Sequence, residues 1–106
     1  MKYRILLASA LALSVVGACW AAGVVVVDQK GLAFSVETLK IAKGAVVQFT
    51  NSDTTPHNLL ITQGDETIDG GLQQPGSSYK VPFLKAGTYD IICAIHPKMH
   101  MSVKVE

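Results

Sequence analysis

From residue 24 to the C-terminus the chain is a succession of short apolar runs, rich in β-branched residues and cut at near-regular intervals by Gly, Pro, Asn, Asp and Ser. No other feature constrains the fold as much. Runs of four to seven residues are short for globular helices and the right length for strands. "VVVV", 24–27, is the first. "LAFSV", 32–36, alternates, and "TLKIAKG", 38–44, alternates into a Gly-bearing turn. "AVVQFTN", 45–51, ends at the turn cluster Asn51–Ser52–Asp53, and "HNLLIT", 57–62, follows. "DETIDGGLQQPGSS", 65–78, is rich in turn formers and reads as a loop. "SYKVPFL", 78–84, reads as a strand whose Pro82, lacking an N–H, calls for an edge or bulged position. "GTYDIIC", 87–93, sets Tyr89, Ile91 and Cys93 against Asp90 and Ile92. "MSVKVE", 101–106, puts Met101, Val103 and Val105 on one face. About eight short strands without a helix or an internal repeat predict one all-β domain, a sandwich or barrel.

The first residues read differently. Lys2 and Arg4 precede an apolar run, Ile5 to Val16, and then the small residues Gly17, Ala18, Cys19, Ala21 and Ala22. This is the pattern of a cleaved signal peptide, and the run is short for a membrane span. Cleavage after Ala21 makes 1–21 the leader and 22–106 the mature domain. "VGAC", 16–19, offers the alternative of a lipoprotein signal ending at 18, with Cys19 lipidated and the domain tethered to a membrane. The whole chain has a formal charge of +1. Loss of Lys2 and Arg4 brings the mature domain to about −1. It has neither a basic stripe nor an acidic tail, so nucleic acid is not an expected partner.

Removing the leader leaves Cys93 without a cysteine partner. Exported domains keep cysteines in pairs because their compartment is oxidising, so a lone one calls for a reactive thiol, an intermolecular bridge or a metal. "CAIHPKMHM", 93–101, supplies the third answer. Cys93, His96 and Met99 follow one another at intervals of three, with Pro97 stiffening the loop. His57 opens an earlier strand just after Pro56. Two imidazoles and a thiolate in a plane with a weak axial thioether suit a mononuclear copper electron-transfer site. Zinc prefers thiolate, imidazole and carboxylate, and thioether is a poor ligand for it. Met101 competes with Met99 for the axial place. Only five residues follow Met101 and the closing strand needs them, so Met99 is the expected ligand and Met101 a core residue.

The stretches "NSDTTPHNLLI", "AGTYDIICAIHPKM" and "VKVE" resemble the small type I (blue) copper proteins, the cupredoxins, of the plastocyanin/amicyanin group. The chain resembles amicyanin in particular, which has the same short C-x2-H-x2-M loop. The resemblance runs from about Lys30 to Glu106 and is loose between 63 and 80. It implies a Greek-key β-sandwich with one copper ion at one end. His57, Cys93 and His96 match the equatorial ligands and Met99 the axial one. His57 is then the buried imidazole and His96 the exposed one. Asn58 matches a residue that ties its strand to the ligand loop and places a backbone N–H near the cysteine sulfur. Lys98 stands where amicyanin has an aromatic residue, and His100 adds an imidazole just outside the loop.

The expected function is that of a periplasmic electron carrier cycling between Cu(I) and Cu(II), a monomer rather than an enzyme. No nucleophile–base pair or carboxylate dyad stands out, and Asp90 and Glu37 read as solvated strand residues. The expected partners are a redox donor and acceptor, for example a periplasmic dehydrogenase and a c-type cytochrome, with a membrane involved only if Cys19 is lipidated. The alternative is a periplasmic protein that buffers or delivers copper, with His100 and Met101 as accessory surface ligands. A metal-free β-sandwich with Cys93 merely buried is the third reading.

Overall fold

Buried and more exposed side chains alternate along seven of the eight strands, and the inward set closes two sheets over one core. The computed structural model describes residues 23–106. The expected leader, its cleavage after Ala21 and the lipidation of Cys19 lie outside the described residues. The strands are β1 (Val24–Gln29), β2 (Thr38–Ile41), β3 (Val46–Asn51), β4 (His57–Gln63), β5 (Glu66–Gln73), β6 (Ser78–Pro82), β7 (Gly87–Cys93) and β8 (His100–Val105). Among the described residues there is no helix. One sheet has the order β1-β3-β6 and the other β2-β8-β7-β4-β5. Only the β4–β5 and β7–β8 connections stay within a sheet. The other five cross between sheets, as in a Greek-key sandwich.

The core follows the period-two pattern. Val47 and Phe49 of β3 face Leu59 and Ile61 of β4, Ile91 of β7 and Met101, Val103 and Val105 of β8, all of them buried. Removing each such side chain from water contributes about 1.5–3 kcal/mol. At the start of β7 the Tyr89 hydroxyl donates to the Lys85 carbonyl at 2.7 Å, and its ring meets Phe83 edge to face at 4.9 Å. The other end of β7 is Cys93, also fully buried. Pro82 ends β6, an edge strand, where a missing N–H costs the ladder least.

Two segments differ from the sequence reading. Residues 66–73, expected in a loop, form β5. This strand is the edge of the large sheet and only Gln73 is buried along it, so no hydrophobic alternation marks it. Its two glycines serve the pairing with β4, whose register shifts between Leu59 and Leu60. Gly71 has φ +74°, and a Cβ on Gly70 would lie 3.0 Å from the Tyr79 ring and 3.2 Å from Leu59. Residues 32–36, expected as a strand, make only an isolated bridge between Phe34 and Gln29. The chain folds back on β1 through Gly31 and Leu32, both with positive φ (67° and 56°). That is the backbone of a two-residue hairpin turn, and β1 is continued by too few residues for a strand.

Asp28 links β1 to β3. Its Oδ1 accepts hydrogen bonds from the Thr50 hydroxyl at 2.7 Å and the Ser52 hydroxyl at 2.9 Å. The Thr50 bond, against an opposing effect of burial, holds its carboxyl below the ordinary 3.8. A carboxylate with a depressed folded pKa adds stability above the unfolded value and loses it as pH falls through the folded one, because the unfolded chain binds the proton more readily. Asp28→Asn is expected to lower stability at neutral pH and to converge with wild type in strong acid. Denaturant unfolding at both pH values checks this, and a pH-independent difference would contradict it.

Candidate metal centre

The register of β4 against β7 assembles the site. Leu59 pairs with Cys93, the last residue of β7. His57 lies two residues before Leu59 on the same inward face, so its ring projects over the end of β7 where the next loop begins. There the donors meet. His57 Nδ1 lies 3.5 Å from Cys93 Sγ, and His96 Nδ1 lies 3.7 Å from it. One donor atom from each of the three residues falls within 4.8 Å of the others. An imidazole nitrogen about 2.0 Å from a borderline metal and a thiolate about 2.3 Å from it, at trigonal angles, stand about 3.7 Å apart. The spacing and chemistry of this donor set fit a metal ion of that kind.

The loop spacing has a backbone cause. The His96 N–H donates to the Cys93 carbonyl at 3.1 Å and the Met99 N–H to the His96 carbonyl at 2.9 Å. Two successive i→i+3 turns therefore put residues 93, 96 and 99 on one side, the arrangement of a three-residue helical turn. The Cys93 N–H donates to the Met99 carbonyl at 3.3 Å and closes the loop. The Asn58 backbone N–H donates to Cys93 Sγ at 3.3 Å, and the Asn58 carbonyl accepts from the Ala94 N–H at 2.7 Å. The backbone of Asn58 thus ties β4 to the ligand loop. Its side chain turns away and donates to Asp69 on β5 at 3.1 Å.

His57 is fully buried and His96 partly exposed. Their rings meet at 67° with centroids 5.2 Å apart. His96 lines a surface depression of about 430 Å³ with Leu32, Ile95, Pro97, Lys98 and Met99. The two methionines separate cleanly. Met101 pairs with Ile91 in the β7–β8 ladder and belongs to the main core. Met99 is 2% exposed, sits on the loop and stands outside that core cluster. Met101 is fully buried and His100 lies 3.2 Å from the Asp90 carboxylate, so the two do not form the surface pair expected of accessory ligands.

Comparison with known proteins agrees with the geometry. Residues 21–106 match the model of the copper binding proteins of the plastocyanin/azurin family. The chain belongs to that family. It is 34% identical over 76 residues to "Amicyanin-alpha" of Methylorubrum extorquens, covering 69% of this chain and 64% of that protein. It is 32% identical over 87 residues to the amicyanin of Paracoccus denitrificans, covering 79% of this chain and 66% of that protein. The chain thus spans slightly less than two thirds of the length of these relatives. The solved structure of a reduced amicyanin variant superposes with a TM-score of 0.74 at 31% identity, covering 81% of this chain and 85% of that one. Copper is the metal this family binds, and His57, Cys93 and His96, with Met99 next on the loop, are arranged as a type I copper site.

Sequence reasoning overlooked Asp53. Its Oδ2 lies 2.7 Å from His57 Nε2, the ring nitrogen facing away from Cys93. Burial opposes its ionisation, but hydrogen bonds from His57, Gly31 and Leu32 outweigh this and hold the carboxyl below its ordinary value. A carboxylate four residues before a histidine, within a turn, was the only signal.

The two methionines yield a paired expectation. Met101→Ala is expected to cost about 2–5 kcal/mol of stability with little change in the copper spectrum. Met99→Ala is expected to keep copper while shifting spectrum and potential, since a weak axial ligand tunes more than it holds. Unfolding curves and absorption spectra of both variants measure this. The reverse pattern would exchange their roles.

Proposed function

We propose that this protein is a periplasmic carrier of single electrons, with His57, Cys93 and His96 as equatorial copper ligands and Met99 as the axial one. The observation that carries the reading is the backbone hydrogen bonding that holds the donor set. His57 opens β4 and Cys93 closes β7, two strands hydrogen-bonded in one ladder, and three of the four ligands lie on a loop closed by its own backbone. Copper, when bound, supplies a one-electron Cu(I)/Cu(II) couple. The residues supply a cage that need not move when the charge changes. The Asn58 N–H on the sulfur steadies the thiolate and tunes it.

His96 is the proposed electron exit, because it alone of the two imidazoles reaches the surface. The depression around it is apolar except for Lys98, which suits brief docking of a redox donor and an acceptor. A dehydrogenase and a c-type cytochrome remain the expected partners, and the chain is proposed to act as a monomer. The proposed location rests on the leader-like sequence 1–21 and on Cys93 being the one cysteine beyond it; lipidation at Cys19 would tether the same domain to a membrane.

Copper buffering or delivery, the second reading, needs a site that releases its metal. Burial of His57, Cys93 and Met99 disfavours it. Repeated chemical oxidation and reduction beside a Cu(I) chelator discriminates the two. A carrier keeps one copper per chain through many cycles, whereas a delivery protein surrenders it on reduction.

A further inference from the structure

The imidazole of His57 has two nitrogens, and only the one that keeps its lone pair can serve a metal. Nδ1 faces Cys93 Sγ at 3.5 Å, and Nε2 faces Asp53 Oδ2 at 2.7 Å. An ionised carboxylate can only accept, so of the two neutral tautomers of His57 only the one with its proton on Nε2 can donate to Asp53. That tautomer leaves Nδ1 with its lone pair toward the sulfur.

Asp53 is itself held in place from several sides. Its Oδ1 accepts from the Gly31 N–H at 2.6 Å and its Oδ2 from the Leu32 N–H at 3.2 Å. Its own N–H donates to Asn51 Oδ1 at 2.9 Å. Asn51 is buried and in turn donates to the carbonyls of Thr55 and Gln73. The carboxylate also secures Leu32 at φ 56°, a conformation a non-glycine residue adopts only where its surroundings hold it. The Leu32 side chain is exposed and lines the depression beside His96. One partly exposed carboxylate therefore joins the inner imidazole to the rim of the outer one.

We propose that Asp53 is a positioning residue that fixes His57 in the Nε2–H tautomer and, through its negative charge, favours Cu(II) over Cu(I). The proposal rests on the reading of His57 as a copper ligand. A negative charge one imidazole away stabilises the more highly charged metal ion, and a carboxylate on the distal N–H makes the coordinating nitrogen more basic. Loss of such a partner costs about 10–100-fold in metal affinity, and Cu(II) should bear more of that loss than Cu(I).

The test compares wild type, Asp53→Asn and Asp53→Glu in the copper-loaded form. An intensely coloured wild type with Cu(II) establishes the ligand reading separately, so its failure is distinct from failure of this proposal. At a fixed solution potential the Asn variant is expected to shift the Cu(I)/Cu(II) ratio about tenfold toward Cu(I), which is about 59 mV for one electron. The Glu variant, which restores the charge, is expected to move the ratio back toward wild type. A coloured Asn variant with an unchanged midpoint would overturn the proposal. A second readout needs neither copper nor a variant: ¹⁵N NMR of the imidazoles in the metal-free protein. His57 as the Nε2–H tautomer supports the assignment, and His57 as the Nδ1–H tautomer overturns it.

Discussion

The copper site depends on a single pairing register. With Leu59 opposite Cys93, the alternation that buries Leu59 and Ile61 also points His57 inward over the end of β7. The same register brings the Asn58 N–H to the cysteine sulfur and the Asn58 carbonyl to the Ala94 N–H. A slip of one residue would turn His57 to the outer face and separate the donors, while exposing Leu59 and Ile61. Packing of the core and assembly of the site are thus enforced by the same free energy.

Around this frame the site is layered. The two consecutive turns 93–96 and 96–99 carry its outer ligand, and a polar network carries its inner one. Asn51 and Asp53 organise the connection between β3 and β4. Below them the Gln29 amide donates to the Gln73 side-chain oxygen at 2.8 Å, at the level where Gln73 pairs with His57. Asn51 and Asp53 spend their hydrogen bonds on backbone and on His57, whereas Gln29 Oε1 and Gln73 Nε2 are buried without a hydrogen-bond partner. The satisfied part of this network, from Asn51 through Asp53 to His57, restrains the inner imidazole against movement.

Much of this was legible because it is local. Cys93, His96 and Met99 are spaced by a backbone turn that repeats every three residues. Period-two alternation then placed Tyr89, Ile91 and Cys93 inward, and it placed Met101 in the core. Fold class followed from the succession of short strands. The misses have physical reasons. An edge strand such as β5, solvated on most of its length, leaves no apolar pattern to read. A hairpin as short as that at Gly31–Leu32 resembles a strand in composition but supplies only one bridge. Asp53 was hidden because its role depends on a turn that brings together Gly31, Leu32 and His57. The side chain of Asn58, engaged with Asp69, shows that a strand-to-loop tie can be made by backbone alone.

The central claim is that His57, Cys93 and His96 hold one copper ion through a thiolate. Titration of the metal-free domain with Cu(II), followed by visible absorption and EPR, tests it most directly. The account predicts an intense thiolate-to-copper band that grows linearly and stops at one equivalent, with the narrow copper hyperfine splitting of a type I site. A colourless protein, or one whose Cu(II) signal is that of ordinary nitrogen and oxygen coordination, would contradict it.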